Sequence, residues 1–205
     1  SIDKFGRYAF SNQPPITKWN LARFAECLIP LIDKNEDTAI KLATDLIDNF
    51  QNIYEDKWLN MIRDKLGLFG EEKNDKKLIN DLFNWMEKNK ADYTNTFCNL
   101  MDINSYEIYK KDDFINWKNE WKKRSELNNS TKEKQNKLMK SNNPIVIPRN
   151  HKVEEALAEA DKGSLDKMKK LLAILKNPYE NQNNIEEYKA PAPLSNEKYQ
   201  TFCGT

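Results

Sequence analysis

Glycine is scarce in this sequence: five Gly occur in 205 residues. Neither GxGxxG nor GxxxxGK(S/T) is present, so the chain lacks the glycine-rich loops whose backbone N–H groups cradle a polyphosphate. Histidine is scarcer still, with His151 standing alone. The three cysteines, Cys27, Cys98 and Cys203, include no CxxC pair. A zinc site of ordinary ligand spacing is therefore not expected. An odd thiol count without a paired framework suits a reducing compartment, and a cytoplasmic location is expected. No apolar run approaches the roughly 18–20 residues that cross a bilayer, and no signal-peptide pattern opens the chain. No membrane partner is therefore expected. An excess of either charge is also lacking: 33 basic and 32 acidic residues leave a net charge of +1. The signs are interspersed, which argues against the basic stripe of a nucleic-acid binder.

What is present is the material of a folded helical domain. Apolar residues make up 39% of the chain and charged residues 32%, and the 11% that are aromatic include five Trp. Disordered chains are usually poor in aromatics. Residues 1–15 form a leader with turn formers at Gly6, Ser11, Asn12 and the Pro14–Pro15 pair. Trp19, Ala22, Phe24, Ala25 and Leu28 then recur at helical spacing over a wide arc. This predicts a central helix from Ile16 to Ile29, with Pro30 as its end. A long periodic pattern from Asn35 to Leu66 predicts one helix of many turns or two with a kink, and Gly67 stops it. Asn74 or Asp75 is placed to cap the next helix, which carries Leu78, Leu82, Phe83, Trp85 and Met86 on its buried stripe. Asp92 caps a short helix with Phe97, Leu100 and Met101. Asp112 or Asp113 opens another, with Phe114, Ile115, Trp117 and Trp121 facing inward. Ser130 or Thr131 caps a polar helix to Lys140.

Pro144 and Pro148 bound an extended strip, because each proline biases its predecessor away from helix. Asn150 is placed to cap a helix ending at Gly163, and Ser164 starts a second through Leu175. Together they predict an antiparallel hairpin. From Tyr179 onward neither period is visible, and a coil is expected that either docks or stays mobile. The expected organisation is thus a leader (1–15), a helical body (16–141), a strip plus hairpin (142–178) and an irregular tail (179–205), in an all-α chain.

Two separated blocks, with a smaller one between them, carry a resemblance. The first is Gly6-Arg7-Tyr8-Ala9-Phe10-Ser11-Asn12-Gln13-Pro14, followed by Trp19-Asn20-Leu21. The small block is Asp92-Tyr93-Thr94-Asn95-Thr96-Phe97. The last is Asn143-Pro144 through Pro148-Arg149-Asn150, the hairpin, Asn177-Pro178-Tyr179, the Tyr188–Pro191 stretch and Cys203. In this order the blocks resemble the C-terminal part of the SelO family, formerly uncharacterised family 0061, of protein adenylyltransferases. The resemblance implies a protein-kinase-like (pseudokinase) fold that transfers AMP from ATP to Ser, Thr or Tyr hydroxyls of proteins, with Mg or Mn. On that reading the chain is a C-lobe remnant with family-specific helices. The nucleotide-binding and metal-binding residues of the family would all precede Ser1. The chain itself is then expected to hold no catalytic, cofactor-binding or metal residue and to be inactive alone. Its expected partners are the missing nucleotide-binding half and the protein substrates. The resemblance also implies a redox or regulatory role for Cys203, although the Cys-Gly-Thr ending departs from the Cys-Ser-Ser type.

Read from chemistry alone, most singled-out residues have a plain structural role. Gly6, Arg7, Asn12, Gln13 and Pro14 read as a turn that fixes the start of the first helix. The five Trp read as core, and Cys27 and Cys98 as small buried hydrophobes. His151 reads as a surface residue beside a helix start. The acidic residues, and the basic run Lys118, Lys122, Lys123 and Arg124, read as solvated helix faces. The rival reading of the whole chain is a free-standing helical interaction module without enzymatic activity.

Overall fold

The computed structural model describes residues 5–7, 9–101 and 106–193. Every regular element among them is helical, and they contain no strand. The chain divides into two compact units, and the boundary falls inside one helix, between Trp58 and Leu59.

The first unit opens on a turn. Gly6 has a φ of +66°, a left-handed conformation that glycine adopts without Cβ strain. Its carbonyl accepts from the Ala9 N–H at 3.0 Å and from Asn12 Nδ2 at 2.8 Å. After a 3-10 turn at Phe10–Asn12, helix α1 runs Gln13–Ile32. Prolines stand in its first turn, where their missing N–H groups would have had no partner anyway. Pro30 does not end this helix as the sequence pattern suggested: α1 runs two residues further before Asp33 turns extended. A proline removes its own N–H and crowds the carbonyl four residues before it, so its cost falls on the preceding turn and the residues after it can stay helical.

Asn35 then caps helix α2, Glu36–Asp48, by accepting the Thr38 N–H at 2.9 Å. Helix α3 follows, Phe50–Leu66, separated from α2 only by Asn49. The long periodic pattern is therefore two helices. The break coincides with Asp48-Asn49, side chains that compete with the helix for backbone hydrogen bonds. A Lys18–Asp48 ion pair at 3.4 Å ties the start of α1 to the end of α2. Helix α1 is not the buried central element its wide apolar arc predicted. Ile16 is its one buried side chain among the described residues, whereas Trp19, Phe24 and Leu31 are 49%, 60% and 81% exposed.

The second unit has a conventional core. Helix α4 spans Asp75–Asn89, α5 Tyr93–Leu100, α6 Asp112–Glu126 and α7 Lys132–Asn142. Ile62, Leu66, Ile79, Leu82, Phe97, Phe114 and Met139 are completely enclosed among them. Trp117 and Trp121 are buried too. Their indole N–H groups donate to the carbonyls of Leu78 at 2.9 Å and Leu66 at 2.8 Å. Ile115, read as inward-facing, is 41% exposed. The end of α3 comes close to α7 because Gly67 has no side chain. A Cβ there would lie 2.7 Å from Gln135 Cγ and 2.8 Å from Met139 Cγ, and φ is +64°.

Helices α8 (Asn150–Asp161) and α9 (Asp166–Leu175) form the hairpin read from the sequence, turning at Gly163 with φ +90°. Asn150 is the first helical residue rather than the cap; Arg149 holds the extended cap conformation. The strip before the hairpin is pinned by the Pro178 carbonyl, which accepts from Ile145 N at 2.7 Å and Val146 N at 3.3 Å. Beyond Tyr179, where the sequence offered no period, the structure places one helical turn, α10, at Glu186–Lys189. Ile185 and Tyr188 enter the same core as Val146, Ala156, Leu171 and Ile174. Burial of two side chains, not propensity, holds this turn.

Candidate functional site

The residues singled out from the sequence gather in two places. In the first unit, Gly6, Arg7, Asn12, Gln13, Pro14, Trp19 and Asn20 lie around the turn that precedes α1. The Arg7 guanidinium stacks on the Trp19 ring at 4.5 Å, and Arg23 approaches the same ring at 5.7 Å. Arg7, Asn12, Pro15, Ile16 and Trp19 line a shallow hollow there. Trp19 is thus a half-exposed platform for cations, not the core residue its helical position suggested.

In the second unit, Asp92 and Arg149 meet across 57 positions of sequence. Arg149 Nη1 donates to Asp92 Oδ2 at 2.8 Å and Nη2 to Oδ1 at 2.9 Å, a two-pronged pairing. Asp92 is also the cap of α5, accepting the Asn95 N–H at 2.8 Å. Burial pushes its carboxyl up, but the Arg149 hydrogen bonds and the Asn95 N–H outweigh this and hold it below the usual carboxylate range. Buried Asn95 donates from Nδ2 to the Lys189 carbonyl at 3.1 Å, tying α5 to α10. Thr94 is buried beside it. Pro144 accepts weakly from the Cys98 thiol at 3.5 Å, whereas Tyr179 is about half exposed. Cys98 is buried as expected, and burial pushes its thiol up to about 11, so it is neither a thiolate nor a nucleophile near neutral pH. Cys27, by contrast, is exposed on α1. His151 is half-buried; burial and the neighbouring Lys152 charge lower its pKa. Cys203 lies outside the described residues.

Sequence reading missed the most buried charge cluster. Asp75, completely enclosed, accepts from Arg63 Nε at 2.8 Å and Arg124 Nε at 2.6 Å. Arg63 also reaches Glu71 at 3.0 Å, and Arg124 the Phe69 and Gly70 carbonyls at 3.3 and 3.1 Å. Arg124 is therefore not part of a solvated basic face. Burial alone would raise the Asp75 carboxyl, yet hydrogen bonds from Arg124, the Glu72 N–H and Arg63 hold it low. The partners stand 12 and 49 positions away, and no local pattern marks them.

Both carboxylates are fully committed to arginines, so neither is available as a general base or a metal ligand. Among the described residues no group of three or more His, Cys, Asp or Glu side chains is arranged to hold a metal ion. Among the described residues these two clusters do not fit a nucleotide-bound Mg or Mn, and no chemical step is assigned to them. No helix among the described residues is long and apolar enough to cross a membrane. What these clusters do is join elements: α5 to the hairpin through Asp92–Arg149, and α3, α4 and α6 through Asp75.

The described residues thus form a helical scaffold tied by buried ion pairs. The family model described as protein adenylyltransferase SelO matches residues 1–176, and the chain belongs to that family. It is similar over its whole length to proteins named protein nucleotidyltransferase YdiU. The identity is 60% with the one from Pelagibacter ubique, 48% with that from Bacillus mycoides and 45% with that from Clostridium beijerinckii. The chain spans only 43%, 43% and 42% of these relatives' own lengths.

Proposed function

We propose that this chain is the helical, C-terminal portion of a protein adenylyltransferase, a kinase-like C-lobe with added helices beneath a catalytic cleft built by the rest of the polypeptide. The assembled protein transfers AMP from ATP to Ser, Thr or Tyr hydroxyls of protein substrates in the cytoplasm. ATP and Mg or Mn, bound by residues outside this chain, would supply the activated phosphoryl group and neutralise its charge. The observation that carries the reading is the match itself: the whole chain aligns with under half of each nucleotidyltransferase. The absence of any glycine-rich phosphate loop in the sequence supports the same division of labour. The chain's own residues keep the lobe rigid through Asp75 and Asp92, and the block from Gly6 to Trp19 supports the protein-substrate face.

The test is a chimera in which this chain replaces the stretch it matches in the P. ubique protein. Incorporation of labelled AMP into protein by the chimera, and none by the chain alone, is the expected result. Transfer by the chain alone, or a well-folded chimera without transfer beside an active P. ubique parent, would sink the proposal.

A further inference from the structure

Among the described residues, the first unit leaves several large apolar side chains uncovered. Among its described residues, Ile16, Ala39 and Ala43 are the only buried apolar side chains. Against them stand Trp19, Phe24 and Leu31 of α1 and Ile40, Leu42 and Leu46 of α2, all between 45% and 81% exposed. Folded monomers seldom leave so many large apolar residues uncovered on adjoining helices. The second unit, by contrast, encloses a full core. Alongside this surface, α1 and α2 frame a groove of about 890 Å³. Its floor is Ala22, Ala25 and Ile29 of α1 with Ile40, Ala43 and Ile47 of α2. Small residues on the floor let another backbone come close. Of the acids lining it, Glu26 and Asp48 are paired with Arg23 and Lys18, which leaves Asp33 and Glu36 against one lining cation, Lys34, a small excess of acid.

We infer that this groove seats an amphipathic helix from the portion of the polypeptide that this chain does not span, one with an apolar face and a basic flank. The inference rests on the proposed function for the existence of that portion. The relatives' lengths supply more than half a protein to account for. The excess of acid on the rim selects basic residues on the occupant, and the apolar floor selects an i, i+3, i+4 stripe. A second copy of this chain fits less well, because like-charged rims would face each other across a two-fold axis.

Hydrogen exchange on the chain alone and on the P. ubique chimera tests this. Amides of α1 and α2 are expected to exchange at least about tenfold more slowly in the chimera, while those of α4 to α7 change little. Ala43→Glu and Ile40→Asp, made separately in the chimera, are expected to restore fast exchange in α1 and α2. Unchanged exchange in α1 and α2 on joining the two parts would overturn the inference, even where AMP transfer succeeds. Slowed exchange without AMP transfer would uphold it and sink the enzymatic reading. Concentration-dependent dimerisation of the chain alone, with α1 and α2 protected in the dimer and not in the chimera, would assign the groove to a second copy and overturn the proposal.

Discussion

Asp75 shows how one buried carboxylate can hold several elements. It is completely enclosed, and both arginines on it are at least nine-tenths buried. Replacing it leaves two cations without their shared anion, which in buried pairs costs about 3–5 kcal/mol. Asp75→Ala is therefore expected to lower the unfolding free energy of the second unit, read from urea titration, by that order, while Glu71→Ala, on an exposed partner, changes it little. Asp92 and Asp75 also set the acid limit. Both have folded pKa values below the ordinary one, so their stabilisation is complete above the unfolded pKa of about 4. It is lost as pH falls below that value through the folded ones. Unfolding followed between pH 7 and pH 2 should show stability dropping below about pH 4, and Arg149→Met should flatten part of that slope. Burial makes a further distinction between thiols. Cys98, pushed up to about 11, should resist iodoacetamide at pH 8 until the protein unfolds, while Cys27 reacts in the native state. Peptide mass mapping separates the two. The sequence marked Asp92 as a cap because caps are local patterns. It offered Asp75 only as an alternative cap and could not mark its arginine partners, which are joined to it only by the tertiary fold.

Among the elements, the junction of α3 and α7 depends on one missing methyl group. At Gly67 both the left-handed backbone and the approach of Gln135 and Met139 exclude a side chain. Gly67→Ala is expected to cost about 1–3 kcal/mol, read as a fall in Tm without a change in helical signal. Gly67 was legible because a helix stop needs a positive φ; the second reason, the neighbouring helix, was not. The α10 turn teaches the reverse. Its residues carry no helical period, yet Tyr188 is enclosed between the hairpin helices and flanked by Lys152 and Lys170 at 5.8 and 5.2 Å. Both lysines also reach Glu187. Helix α1 was misjudged for a related reason. An apolar arc establishes what a helix can bury, and only the neighbours decide whether it does so. The Asp48-Asn49 break was left open by periodicity, since the apolar stripe continues across it.

At the scale of the whole molecule, the two units differ in how far they can stand alone. The second encloses Trp85, Trp117 and Trp121, satisfies the indole N–H groups of Trp117 and Trp121, and pairs its buried charges. The first leaves Trp19, Phe24 and Leu31 exposed to water. A chain so divided is expected to complete a larger enzyme without carrying its chemistry. Titrated with ATP and Mg in a calorimeter, the chain alone should give no saturable heat, because carboxylates held by arginines cannot take up the metal and no glycine-rich loop is present to receive the phosphates. The P. ubique protein, under the same conditions, should bind. Were the chain alone to bind ATP with a micromolar dissociation constant, its described clusters would have to open to admit it, and the division of the enzyme between this chain and the rest would be wrong. A chimera that binds ATP while the chain alone does not would place the nucleotide with the other portion. It would leave this chain the proposed task of holding a lobe beneath the cleft in one shape.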